Sequence, residues 1–180
     1  MRNVVIFCVS IFLELAVLPA PGVSQDSGST RPSPSARANC AFADGKTISV
    51  DYSSPRMRGR KIYGGLVPYG QVWRTGANDA TTLVSNTNLT VGGKEVPAGR
   101  YTLFTVPGPN TWPLIISTKT GEWGIPYPGA RFDLMRTDMR VSKLPSTVEN
   151  FTIAFDQAGT RCTMRLDWET TRATVDMIEK

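Results

Sequence analysis

The sequence contains no histidine among its 180 residues. Histidine is the usual proton shuttle at neutral pH, the base of Ser-His and Cys-His catalytic triads and a common ligand of zinc. Its absence excludes these kinds of site. The three cysteines also fall short of the four thiolates of an all-cysteine zinc site, and no carboxylates have the spacing of a calcium-binding loop. We therefore predict neither a metal nor a cofactor.

The chain also lacks an apolar run long enough to cross a membrane. The longest run, from Val4 to Leu18, has about 15 residues and contains Glu14, whereas a spanning helix needs about 20. Arg2 precedes it, and prolines and small residues follow, which is the pattern of a secretory signal. We predict a signal peptide over 1–24, a secreted or periplasmic location and no stable membrane span after cleavage. An N-terminal membrane anchor is the alternative.

Large aliphatic side chains are absent from the stretch that follows the predicted signal. Residues 25–38 (QDSGSTRPSPSARA) are rich in serine and proline and have nothing to bury, as in flexible tethers. The remaining chain, 39–180, has the length of one typical domain and is long enough to bury a hydrophobic core. We therefore predict a tether over 25–38 and a single β-domain over 39–180.

Two cysteines, Cys40 and Cys162, remain after the predicted signal. In the segment TRCTMRLDWE, Cys162 alternates in step with Met164, Leu166 and Trp168, so a strand would place it on the apolar face. An even pair in an exported chain predicts a disulfide. The bridge would close a loop of more than a hundred residues. Two separately buried thiols are the alternative.

Alternation of apolar and polar residues, the period of a β-strand, recurs along the rest of the chain. It is clearest in TISVDY (47–52), RYTLFTV (100–106), FTIAFD (151–156) and ATVDMIE (173–179), whereas no stretch has the period of a long amphipathic helix. In LTVGGKEV (89–96), Gly92 and Gly93 predict a tight hairpin turn. We predict an all-β fold: an antiparallel β-sandwich or barrel-like jelly roll of about eight to ten short strands.

One long irregular insert, residues 53–80, interrupts this pattern. Its sequence is SSPRMRGRKIYGGLVPYGQVWRTGANDA, with little alternation and several glycines. Long connections without secondary structure are uncommon in compact domains and are usually functional or disordered. This one is too rich in aliphatic and aromatic residues to be disordered. We expect it to pack over one end of the sheets and to expose selected polar side chains.

Several motifs of this chain resemble one known family. They are GRKIYGGLVPYGQVWRTGANDATT, VGGKEVPAGRYTLFTVPG, GEWGIPY and VENFTIAFD. Together they resemble the domain-of-unknown-function (DUF) 2911 family of bacterial exported proteins, over about residues 40–179. The resemblance implies an exported single β-domain and supplies no reaction. The family commonly has glutamate where this chain has Asp79, which keeps the charge and shortens the reach.

Two segments carry side chains suited to binding a ligand: the insert and the loop GEWGIPY (121–127), which we call the Trp123 loop. Guanidinium groups bind carboxylate, sulfate or phosphate through paired hydrogen bonds, and flat aromatic rings stack on sugars or cations. The candidate ligand-binding residues are Arg56, Arg60, Lys61, Tyr69, Trp73, Arg74, Asn78, Asp79 and Trp123. As alternatives, Arg74 pairs with Asp79 only to hold the insert, and the aromatic rings pack in the core.

These observations favour a non-catalytic exported binding module for an anionic small molecule or glycan. A small hydrolase or lyase that works without histidine is one alternative; it would use Asp79 with an arginine or tyrosine partner. The other is a structural protein of the cell envelope that uses the insert as an interface with another protein. The net charge of +5 comes without a nucleic-acid-binding motif, so we predict no nucleic-acid partner.

Overall fold

A computed structural model describes residues 32–180 of the chain. The predicted signal peptide and the first part of the predicted tether lie outside the described residues. Within them there are nine strands and one 3-10 helix: β1 (Ser35–Ala41), β2 (Thr47–Ser53), β3 (Thr82–Ser85), β4 (Leu89–Val91), β5 (Lys94–Val96), β6 (Gly99–Thr105), β7 (Trp112–Ser117), the 3-10 helix (Ala130–Phe132), β8 (Asp133–Ala158) and β9 (Arg161–Glu179). The all-β prediction is confirmed. No helix of residues 32–180 is long and apolar enough to cross a bilayer.

The first strand corrects the predicted start of the domain. β1 begins at Ser35, so residues 35–38, which were expected to end the tether, belong to the sheet. Ser35 pairs with Ser53 and the ladder continues without interruption to the pair of Ala41 with Thr47. Small side chains do not prevent this pairing, because the backbone groups that form the ladder are the same in every residue.

All strand pairs are antiparallel, in the order β1-β2-β3-β6-β7-β8-β9-β4-β5, and the sheet does not close into a barrel. β8 belongs to two ladders. Its residues 133–139 pair with β7, and its residues 140–158 pair with β9. With 26 residues, β8 is longer than the short strands expected, because it continues through register shifts between Lys143 and Thr152 instead of ending there.

A disulfide between Cys40 and Cys162 joins the first strand of this sheet to a distant strand, as predicted. The two Cα atoms lie 6.2 Å apart. Cys40 lies on β1 and Cys162 on β9, and six steps of the strand order separate these strands. The sheet must therefore fold back on itself at β8, so that its two halves face each other across one core. The predicted inward row of Cys162, Met164, Leu166 and Trp168 is fully buried in that core.

The insert is irregular but ordered, and aromatic residues attach it to the sheets. Trp73 stacks on Trp168 of β9, with ring centres 5.9 Å apart, and meets Phe151 of β8 edge-on at 4.9 Å. Tyr63 packs against Trp112 of β7 at 4.8 Å. Such pairs add about 0.5–1.5 kcal/mol each beyond the burial of their area. The insert is thus part of the core and has a fixed position.

Candidate functional site

A cleft of about 550 Å³ opens between the insert and the loop that follows β7. Its size is within the range of about 300–1,000 Å³ typical of small-molecule sites. The insert contributes Arg60, Leu66, Val67, Val72, Trp73 and Arg74 to its walls, and the loop contributes Gly124, Ile125, Pro126 and Tyr127. The lining contains two arginines and no aspartate or glutamate. The cleft therefore combines aliphatic walls with polar groups and a positive charge.

Arg74 is the cation of this cleft that contacts an exposed aromatic ring. Its guanidinium carbon lies 5.0 Å from the centre of the Trp123 ring, within the range of a cation–π contact. One Nη also donates a hydrogen bond of 3.3 Å to the carbonyl oxygen of Trp123. Partial burial lowers the pKa of Arg74, and the carboxylate of Asp79 opposes this decrease. The group stays a cation and lies beside an exposed indole.

The backbone around Thr75 explains how neighbouring side chains reach different places. Trp73 pairs with Thr105 in an extended bridge, so Trp73 and Arg74 point to opposite sides. Thr75 is fully buried and has a φ of 56°, a left-handed conformation that is rare for a β-branched residue. It is held there by the hydroxyl of Thr105 at 3.2 Å and by a 2.7 Å bond from the Thr81 hydroxyl to its carbonyl. The surrounding bonds thus maintain a strained turn directly after Arg74.

Arg60 is the second cation of the cleft, and it donates hydrogen bonds to backbone carbonyls of the preceding turn. Its Nε donates to the carbonyl of Met57 at 2.9 Å, and one Nη donates to the carbonyl of Arg56 at 2.7 Å. These bonds fix the guanidinium at the rim of the cleft. They also occupy part of its donor set, so Arg60 is less able than Arg74 to bind an anion through paired hydrogen bonds.

Four of the nine predicted ligand-binding residues meet at this cleft. Arg60, Trp73 and Arg74 line it, and Trp123 contacts it through Arg74. The other five do not line it: Arg56, Lys61, Tyr69, Asn78 and Asp79. Trp73 also packs among the aromatic rings of the core, so it both stabilises the core and lines the cleft.

Asp79 lies in a different place from the cleft. It is exposed and lines a depression of about 300 Å³ that also contains Asp51 and Tyr52. The ion pairs of residues 32–180 include neither Arg74 nor Asp79, so direct pairing between them does not hold the insert. In the same part of the chain, no three cysteine, aspartate or glutamate side chains form a group that could hold a metal ion.

Asn78 fastens the start of β1 to the end of β2. Its amide donates to the carbonyl of Ser33 at 3.0 Å and to the hydroxyl of Ser53 at 3.1 Å, and its φ is 56°.

We expect Asn78→Gly, which keeps the left-handed backbone and removes the amide, to lower the free energy of unfolding by about 1–2 kcal/mol. Urea denaturation measures this. Asn110→Gly is the control, because Asn110 is exposed; equal losses in both variants would contradict the role of Asn78.

The sequence reasoning missed the part of the wall that follows Trp123. Ile125 is 64% exposed, the highest value among the exposed large hydrophobic residues of 32–180. Ile125 lies between Gly124 and Pro126, where a strand is not expected, so a large apolar side chain at this position could have predicted this wall of the cleft. Tyr127 completes this wall. Its hydroxyl donates to Asp133 and accepts a 3.0 Å bond from Arg136, and its pKa is raised by burial and by the bond to Asp133.

Comparison with known proteins gives a family and no activity. The family model described as "Protein of unknown function (DUF2911)" matches residues 33–177. This segment contains both bonded cysteines, the whole insert and all the residues of the cleft. No curated protein and no solved structure matches the chain.

Proposed function

Because this chain belongs to the DUF2911 family, whose description assigns no activity, we propose from the cleft itself that the protein is a non-catalytic binding module for an anionic small molecule or glycan. One observation carries the proposal: the cleft between the insert and the Trp123 loop is lined by two arginines and by no carboxylate. A concave site of one charge sign concentrates ligands of the opposite sign. Its volume of about 550 Å³ suits a small ligand or a short part of a glycan.

Arg74 is the residue that we expect to contact the anionic group. The contact with the Trp123 ring and the hydrogen bond to its carbonyl restrict the guanidinium before any ligand arrives, so less side-chain freedom is lost on binding. A planar guanidinium can give two parallel hydrogen bonds to a carboxylate, sulfate or phosphate. Partial burial in the cleft strengthens this attraction relative to that of a fully hydrated arginine.

The location that we propose is the periplasm or the outside of the cell. Disulfides persist in oxidising compartments and are rare in the cytosol. The bond between Cys40 and Cys162 is buried and joins distant parts of the fold, as a structural disulfide does. This supports export, and mass analysis of the mature N-terminus from the native host tests it.

We expect Arg74→Ala to weaken the binding of anionic ligands about tenfold to a hundredfold, because charge-assisted hydrogen bonds contribute about 1.5–3 kcal/mol. The ligands are first identified with a glycan array and a library of carboxylates, sulfates and phosphates. Titration calorimetry at low and moderate salt then measures Kd for each variant. Arg74→Lys should fall between the wild type and Arg74→Ala, since it keeps the charge and loses the paired bonds.

Arg161→Ala is the matched control for this prediction. It removes the same charge from an exposed position at the start of β9, seven residues along the strand from Trp168 at the cleft, roughly 20 Å away. Its Kd should stay within about twofold of the wild-type value. If Arg161→Ala weakens binding as much as Arg74→Ala, net charge and not the cleft attracts the ligand. If no ligand depends on Arg74, the proposed function is wrong.

A further inference from the structure

We infer that the ligand is a small monoanion with an apolar body, of the class of medium-chain or aromatic carboxylates, and not a glycan or a polyanion. This inference rests on the proposed function and narrows it. Three features of the cleft carry it: the number of available cations, the aliphatic walls, and the state of the polar groups that the walls contain.

The first feature is that, within residues 32–180, Arg74 makes no hydrogen bond through the guanidinium edge formed by Nε and one Nη, whereas Arg60 uses both groups of that edge. Arg60 already donates through Nε and one Nη to backbone carbonyls, whereas Arg74 has a single 3.3 Å bond, to Trp123, among residues 32–180. One planar guanidinium matches one carboxylate group. A second negative charge on the ligand would lose its water in the partly closed cleft without gaining an equivalent partner, which is unfavourable.

The second feature is the aliphatic character of the walls. Leu66, Val67 and Val72 of the insert face the same space as Ile125 and Pro126 of the loop. Leu66 and Ile125 are 45% and 64% exposed, so much of their apolar surface is in contact with water. A ligand with an apolar body would remove this surface from water, and each buried methylene group would then tighten binding.

The third feature is that the aromatic polar groups of the lining already have protein partners. The indole nitrogen of Trp73 donates to the carbonyl of Gly76 at 3.0 Å, and that of Trp168 donates to the carbonyl of Glu149 at 3.1 Å. The hydroxyl of Tyr127 is engaged by a carboxylate and a guanidinium. These three groups would therefore offer a sugar ring few partners for its hydroxyl groups, which leaves Gln71 and Ser33 as the uncharged polar side chains of the lining, and unpaired polar groups weaken binding.

The test is a series of straight-chain carboxylates from butanoate to dodecanoate, measured by titration calorimetry below their micelle concentrations. We expect Kd to fall about threefold to fourfold for each added methylene group until the cleft is filled. The primary alcohol and the alkyltrimethylammonium ion of equal chain length should bind at least tenfold more weakly than the carboxylate. The glycan and polyphosphate members of the library should bind more weakly than octanoate.

Two variants separate the apolar and the ionic parts of this site. Ile125→Ser should reduce the gain per methylene group, whereas Arg74→Ala should weaken all chain lengths by a similar factor. Ile125 is mostly exposed, so its replacement leaves the core intact; Ile178→Ser, on an exposed residue of β9, is the control and should change neither quantity.

If Kd does not depend on chain length, the inference is wrong. It is also wrong if glycans or polyanions bind more tightly through Arg74, although the proposed function then stands. If no anion depends on Arg74, both fail.

Discussion

Replacing Cys40 and Cys162 with alanine is expected to lower the free energy of unfolding by about 4–5 kcal/mol. The bond links residues 122 positions apart, and a cross-link over a loop of this length removes about that much conformational free energy from the unfolded chain. The total stability of a domain is about 5–15 kcal/mol, so the loss would leave a marginal fold. Urea denaturation of wild-type and variant proteins measures the difference.

The single variants provide the control for the disulfide prediction. Cys40→Ala and Cys162→Ala each break the same bond, so each single variant should lose nearly as much stability as the double variant. Losses that add up would instead show that each sulfur contributes through its own packing, and small losses in all three variants would show that the bond contributes little. Both side chains are buried, at 4% and 0% exposure, so a part of each loss will come from packing.

Gly124→Ala is expected to lower the free energy of unfolding by about 2–5 kcal/mol and to weaken anion binding at least tenfold. Gly124 has a φ of 81°, where an L residue costs about 1–2 kcal/mol. A Cβ atom there would lie 2.8 Å from the Cβ of Ala80 and 3.0 Å from the Cβ of Arg74. Overpacking adds about 1–3 kcal/mol. Relief of the contact would also move Arg74 away from Trp123.

Gly121→Ala is the matched control for Gly124→Ala. Gly121 lies in the same loop with a φ of 73°, and a Cβ atom added to it would meet nothing within 4 Å. Gly121→Ala should therefore lower the free energy of unfolding only by the conformational cost of about 1–2 kcal/mol. It should bind octanoate, or any anion found in the library, as the wild type does. Equal effects of the two substitutions on stability and on Kd would contradict the steric argument.

The strands could be predicted because their signals are local, and the disulfide could be predicted because only two cysteines remain after the predicted signal. Alternation in the Cys162 segment places alternate side chains on one face whatever the rest of the chain does, and the structure buries that row. The turn at Gly92 and Gly93 is of the same kind: both have positive φ, and they connect β4 to β5. The continuity of β8 through 143–152 could not be predicted from the local sequence. This segment contains residues that usually end a strand, and it stays in the strand because it pairs irregularly with β9.

The cleft could be predicted only in part, because its geometry depends on contacts between distant segments. The sequence pointed to Arg74 and Trp123, and they do meet, although 49 positions separate them. It also grouped Arg74 with Asp79, which is close enough to act on the pKa of Arg74 but lines a different depression after the left-handed turns at Thr75 and Asn78. These conformations are set by buried hydrogen bonds that no local pattern specifies.

The shared strand β8 makes the two halves of the sheet one cooperative unit. Its residues 133–139 complete the ladder of β7, and the same backbone continues as the partner of β9. Because the two ladders follow each other directly within one strand, between Met139 and Arg140, we expect the two halves to unfold together. The insert forms one wall of the cleft and is packed on β9 through Trp73 and Trp168, so we expect this wall to move away only when the packing on β9 is lost.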